Sequence, residues 1–368
     1  MSLRISEAKR VAGGMKILIL NRRDIANPAG GGAEIYTHEI ARGLAGKYGC
    51  EVVVFSSRFK GSAEEDTIDG VRYVRRGSEA TVHLWGFAHA VKNRRRFDLI
   101  IDEFNGFGFF TFFLRNSTLL IHQMYKEFWF RELGAVGALP YVLEPLLLRL
   151  YRHRPAVTVS ASTREDLLRR GFRQVSIVMN ALRDRPAVRG EKDAEPTLVF
   201  LGRLKSTKQP GDAIEIFRRV KTRIPAARLW IIGTGPLEGA LRKRAGGLSD
   251  VTFWGWVDDE RKMSLLGKAH ILVVPSVREG FGINVIEAAS AGTPVVGYDV
   301  PGLRDSVRHG ETGYLAGSED EAANRIVELL MDPAAYERMS RNSLDYSKGF
   351  DWRERVDEFW EIIRGARK

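Results

Sequence analysis

Two glutamates stand eight positions apart in Arg278-Glu279-Gly280-Phe281-Gly282-Ile283-Asn284-Val285-Ile286-Glu287. A strand-like apolar run, His270-Ile271-Leu272-Val273-Val274-Pro275-Ser276, precedes them, and Ile283, Ile286, Ala289 and Ala291 give the residues that follow one apolar side at helical spacing. The stretch reads as strand, glycine turn, helix. A helix opening just after Gly280 and Gly282 has unpaired amides in its first turn, and its dipole favours an anion such as a diphosphate. Glu279 then sits at the lip of that site and Glu287 about one turn inside the helix. One carboxylate can accept hydroxyls near the phosphates and the other hydroxyls further along the ligand, which suits a sugar on one side and a ribose on the other.

Two cations point to the same chemistry. Arg203 and Lys208 lie just past the apolar run Leu198-Val199-Phe200-Leu201, where they can neutralise a diphosphate and stabilise it as it departs without a metal. Paired carboxylates also serve glycoside hydrolysis, flanking one scissile bond. A glycine turn, a helix amino end and an Arg/Lys pair fit diphosphate binding better. Near the start of the chain, Gly30-Gly31-Gly32 follow the first strand and let the backbone approach a bound group. Their spacing is not that of a dinucleotide fingerprint, and Phe55-Ser56-Ser57 stands where an acid would follow the second strand, so a NAD enzyme is disfavoured. His122 closes the strand Leu119-Leu120-Ile121 and would point from its carboxyl end.

Strand-like runs alternating with helical patterns must position these groups, which indicates parallel α/β architecture. Strands are expected at 16–20, 51–55, 71–74, 98–102, 118–122, 157–160 and 176–179, then at 197–201, 228–232, 251–253, 271–275 and 294–297. Two doubly wound sheets follow, with the boundary in the polar, proline- and glycine-punctuated segment 181–196. In such sheets ligands bind outside the carboxyl ends of the strands, where strand order reverses. The tail carries an amphipathic helix on Trp352, Val356, Phe359, Trp360 and Ile363.

Length and composition bound the rest. A chain of 368 residues is long for a single core, which makes two domains the prior. One cysteine, Cys50, excludes an intramolecular disulfide framework and a cysteine-based zinc site, and fits a reducing cytoplasm. Residues 1–14 lack the apolar core of a signal peptide and are expected to be an appendage or an upstream start. No uncharged apolar run approaches the length of a membrane span. The net charge of +11 asks for a negative partner: nucleic acid, anionic lipid or a phosphorylated substrate. No nucleic-acid-binding module accompanies it. Arg94-Arg95-Arg96, with Arg72, Arg75 and Arg76, and the apolar spacing Leu139, Val142, Leu143, Leu146, Leu147 and Leu150 fit either an interfacial surface or solvated arginines over core leucines.

The E-x(7)-E spacing around a G-F-G turn resembles the signature of the retaining glycosyltransferases of the glycosyltransferase 4 family. Gly30-Gly31-Gly32-Ala33-Glu34, Phe200-Leu201-Gly202-Arg203 with Lys208, Ile231-Ile232-Gly233-Thr234-Gly235-Pro236, and Pro294-Val295-Val296-Gly297 leading to Gly310-Glu311-Thr312-Gly313-Tyr314-Leu315 resemble its other motifs in the same order. The likeness covers nearly the whole chain from Met15. It implies a GT-B fold, two Rossmann-like domains facing a central cleft. Residues 15–183 would form the acceptor side, 184–346 the nucleotide-sugar side, and a helix in 347–368 would cross back to the first domain.

The resemblance also implies roles. His122, Arg203, Lys208 and Glu279 would carry catalysis, with Gln123 standing after the histidine where many relatives have an aspartate. Gly32, Gly202, Gly235, Val257, Gly280, Phe281, Gly282, Ile283, Asn284, Val285 and Glu287 would hold the donor, Glu287 through the ribose. Trp254 and Trp256 flank the nucleotide in this reading, though they fit the core slightly better than base stacking. The implied activity is metal-independent, retaining hexosyl transfer from a UDP- or GDP-linked sugar, with no cofactor, to a glycan or lipid-linked acceptor, in the cytoplasm or peripherally on the inner face of the membrane. A hydrolysing nucleotide-sugar epimerase of the same fold and a non-catalytic nucleotide-sugar-binding subunit are the alternatives.

Overall fold

The structure, a computed structural model, describes residues 14–182 and 190–365. Contacts divide the chain into two compact units. The first holds the residues through Lys126, those from Ala138 to the linker, and those from Asp351 onward; the second holds Glu127–Gly137 and the residues from the linker to Phe350. The expected division at 183/184 lies outside the described residues. Segment 127–137, read from sequence as part of the first domain, groups with the second unit, because its helix packs on the turn at Ser206–Lys208.

The first unit is built on an eight-stranded sheet of β1 (Lys16–Leu20), β2 (Glu51–Ser56), β3 (Glu65–Ile68), β4 (Val71–Arg75), β5 (Leu99–Glu103), β6 (Ser117–Ile121), β7 (Ala156–Thr158) and β8 (Val175–Ile177), in the order β3-β4-β2-β1-β5-β6-β7-β8. All pairs are parallel except β3 with β4. Strand β3, Glu-Asp-Thr-Ile, escapes a reading by apolar alternation because it is a polar edge strand. Strand order reverses at β1, between β2 and β5. Helices α1 (Gly32–Tyr48), α2 (Val82–Asn93), α4 (Ala138–Leu150) and α5 (Ala161–Arg169) connect these strands, and α3 (Phe128–Leu133) belongs to the second unit.

The second unit has six parallel strands: β9 (Thr197–Leu201), β10 (Arg228–Ile232), β11 (Val251–Gly255), β12 (Ile271–Val274), β13 (Val295–Tyr298) and β14 (Gly313–Ala316), ordered β11-β10-β9-β12-β13-β14. Order reverses between β9 and β12. Leu198, Phe200, Leu229, Ile231, Ile271 and Val273 fill the core on one face, and Val199, Trp230, Ile232, Leu272 and Val274 fill the other. Burial on both faces is what makes these strands read as continuous apolar runs. Helices α6 (Pro210–Arg223), α7 (Glu238–Arg244), α8 (Asp259–Lys268), α9 (Ile283–Ser290), α10 (Leu303–Ser306), α11 (Glu319–Met331) and α12 (Pro333–Ser347) complete the unit. The last helix, α13 (Trp352–Gly365), lies on α1 of the first unit: Trp360 stacks on Tyr48 at 4.5 Å, and Asp357 accepts from Tyr48 and Lys47 at 2.6 Å.

Candidate functional site

In the second unit the loops after β9 and β12 meet where strand order reverses. The β9 loop is zipped to the β10 loop by Gly202 N–H to Ile232 O and Leu204 N–H to Thr234 O, each 3.0 Å. Gly233 makes this possible: its φ is +127°, and a Cβ there would lie 2.1 Å from Gly202 O. Val277 N–H donates to Thr207 O at 3.1 Å and joins the β9 and β12 loops. On that frame Lys208 Nζ donates to both oxygens of Glu279, at 2.6 Å each. The Glu279 side chain is only 8% exposed, and Lys208 keeps 26% of its surface open. Arg203 lies exposed on the same loop.

Gly282, at φ +89°, turns the chain into α9, which opens at Ile283 as the apolar spacing requires. Its first amides have no partners within the helix. Asn284 ties this end to β9 by donating from Nδ2 to Leu201 O at 3.0 Å. Phe281 is buried, its ring against Phe350 at 5.7 Å. The Val285 side chain belongs to the core, and the Val285 amide donates to Gly282 O at 3.0 Å.

Glu287 faces Lys262 on α8, Nζ to Oε1 2.7 Å, and the same ammonium reaches Asp259 at 2.7 Å. Burial pushes the Glu287 carboxyl up. Burial also pulls the Lys262 ammonium down, but Glu287 and Asp259 outweigh that and hold it above its usual value. Nothing in the sequence singles out Lys262, because its partner lies 25 residues away. Trp254 packs edge-on to Trp230 at 5.9 Å under the Arg261 guanidinium, as a core residue would, whereas Trp256 is 77% exposed, against the core reading. Val257 packs at the margin of that core.

In the first unit His122 is the first residue after β6 rather than its last. Its Nε2 meets Glu103 Oε1 at 2.9 Å, and Glu103 Oε2 accepts from Thr37 Oγ1 at 2.7 Å. Glu103 closes β5 fully buried, which pushes its carboxyl up. Two acids ending the apolar run Leu99-Ile100-Ile101-Asp102-Glu103 were the available signal for this partner. Gly32 is the first residue of α1, whose entry is fixed by Glu34 Oε2 accepting from Gly31 N–H at 2.6 Å. Cys50 is buried and its thiol pushed up to about 11 by burial, as suits a bystander.

In the second unit the structure gathers Gly202, Arg203, Lys208, Gly235, Glu279 and the opening of α9 at the carboxyl ends of its strands; taken by itself, the first unit places His122 and Gly32 at the carboxyl ends of its own. Residues 31–182 match the family described as Glycosyl transferase 4-like domain, and residues 183–345 match Glycosyl transferases group 1. The chain belongs to the glycosyl transferases group 1 family. This group-1 chain is 31% identical to the glycogen synthase of Mycobacterium tuberculosis (strain ATCC 25618 / H37Rv) over 247 residues, which cover 64% of the chain and 59% of the relative's length. Among solved structures, the sucrose-phosphate synthase from Thermosynechococcus elongatus matches with a TM-score of 0.77 at 21% identity, over 95% of this chain and 98% of that one. Anabaena HepE, solved in complex with UDP and glucose, matches at 0.71 and 18%, over 95% and 100%. These likenesses place the group-1 chain in the GT-B fold class.

Proposed function

We propose that the protein is a glycosyltransferase that moves a hexosyl group from a UDP- or GDP-linked sugar to a glycan or lipid-linked acceptor, with retention and without a metal. The observation that carries the reading is the Lys208–Glu279 pair at the β9/β12 reversal, beside the open amino end of α9. An ammonium already hydrogen-bonded to a carboxylate can turn to the diphosphate when the donor arrives, which frees Glu279 to accept from sugar hydroxyls. Lys208, Arg203 and the first amides of α9 then bear the charge that develops on the departing nucleoside diphosphate. Glu287, one turn further in, accepts from the ribose. The bound UDP and glucose of a protein with the same fold support a nucleotide-sugar donor.

On the acceptor side His122, its ring held by Glu103, is assigned to the donor sugar, and the glycine loop opening α1 to the approach of the phosphates. The reaction proceeds on one face of the sugar, the donor phosphate taking the acceptor proton, so no protein nucleophile is required. The single cysteine suits a reducing compartment, and the enzyme is assigned to the cytoplasm. A calorimetric screen of UDP, GDP and their sugars, followed by turnover with and without acceptors, tests the reading. Transfer supports it. An epimerised product, or binding without turnover, replaces it with one of the two alternatives.

A further inference from the structure

Helix α4 is amphipathic in the reverse sense. Its only acid, Glu144, is 1% exposed, and the carboxylate accepts the backbone N–H groups of Tyr125 and Lys126 at 2.7 and 2.9 Å. Pro140 and Leu148 are buried on the same side. On the other side Leu139, Val142, Leu146 and Leu150 recur at helical spacing and are 66, 56, 56 and 47% exposed. A helix on a water-facing surface turns its charges outward instead. Phe113 is exposed as well, in the loop before β6; it packs on Phe112 at 5.7 Å, and Phe112 on the buried Tyr151, one residue past α4, at 5.6 Å.

Charge identifies the occupant. Arg149 is exposed in the last turn of α4, and no acid other than the inward Glu144 occurs in residues 138–156. The loops at the amino ends of β5, β6 and β7 add Arg94, Arg95, Arg115, Arg152 and Arg154. The Arg154 guanidinium holds Phe112 O at 2.8 Å and Arg115 O at 3.1 Å, which pins the last two of these loops together. A second copy of the chain would set this basic rim against itself in a two-fold contact. An anionic bilayer would not.

We propose that the outer face of α4, with the arginines at its carboxyl end, docks on an anionic lipid bilayer. The helix lies in the interface and does not cross it. Residues 128–150 are long and apolar enough to span a membrane, but Gly134, at φ +59°, and a 3-10 turn interrupt them. The 13 residues of α4 reach only about 20 Å against roughly 30 Å of hydrocarbon. The contact deepens the lipid-linked arm of the acceptor reading and rests on that reading for its purpose.

The test mixes the full chain with phosphatidylcholine vesicles, with or without phosphatidylglycerol, and measures pelleting at low and high salt. Pelleting is expected with the anionic vesicles, to fall with salt, and to drop about tenfold or more in a Leu139/Val142/Leu146→Ser variant. An Arg149→Gln/Arg152→Gln variant is expected to lose about tenfold at low salt. If the triple variant fails to fold, Leu139→Ser and Leu146→Ser singly must each lower pelleting severalfold. A wild-type chain that stays soluble with anionic vesicles overturns the proposal, as does pelleting indifferent to these serines, or a dimer in gel filtration that they abolish. Calorimetry with the nucleotide sugars and transfer to soluble acceptors in vesicle-free buffer read the transferase proposal separately, so either can fail alone.

Discussion

Lys208→Met tests whether the ammonium serves the ligand or only its neighbour. In the structure it is held by both oxygens of a carboxylate that is 8% exposed, so its removal leaves Glu279 without that cation. Losing a charge-assisted hydrogen bond to such a group costs about 1.5–3 kcal/mol. If the same ammonium bears on the diphosphate, affinity for free nucleoside diphosphate falls by a similar amount, roughly 10- to 150-fold in Kd. Adding Glu279→Gln separates the two roles, because it removes the stranded charge. The double variant is expected to recover most of the lost thermal stability while its nucleotide affinity stays low. Calorimetry with UDP and GDP, beside thermal unfolding of the same four proteins, completes the cycle. A Lys208→Met protein that binds its nucleotide within about twofold of wild type, a difference under about 0.5 kcal/mol, would reduce Lys208 to a counter-ion and refute the assignment.

Glu287→Gln is expected to weaken free-nucleotide binding by about one to two decades through the ribose contact, and calorimetry that shows unchanged affinity in a folded protein rules that contact out. Activity is expected to survive chelation, and proton NMR of the fresh product to show the donor's anomeric configuration; an inverted product or an absolute manganese requirement removes the proposed mechanism. Stability is expected to fall on acidification. Burial pushes His83 and His270 down to about 4 from about 6.5, with Arg22 and Lys192 adding to the effect. The unfolded chain therefore binds these protons first, and the stabilisation present above pH 6.5 is lost as pH falls toward 4, on the order of 1–3 kcal/mol per ring. Besides being buried, the His270 ring accepts the Thr197 N–H at Nδ1 at 3.1 Å, a bond it cannot keep once that nitrogen is protonated. Melting curves from pH 7.5 to 4 check this, and a His83→Gln/His270→Gln variant with an undiminished slope refutes it.

The sheets were legible because burial on both faces writes itself into single residues: Leu198 and Phe200 serve one side of β9 and Val199 the other, leaving no polar position to confuse the run. The glycine turn was legible for a similar reason, since Gly282 occupies a φ that a side chain resists. Partners were not, because an ion pair such as Lys262–Glu287 or Glu103–His122 depends on strand order, and order is a property of the whole sheet. Helix α4 shows the deeper limit. Its leucine spacing is that of any amphipathic helix, and periodicity reports that two faces differ without reporting which faces inward. The deciding fact is one residue, Glu144, whose carboxylate satisfies two backbone N–H groups inside the first unit and so commits the apolar side to the outside. A buried acid with a structural task can therefore invert the usual reading of a helix, and the surface it exposes is then the one that needs a partner.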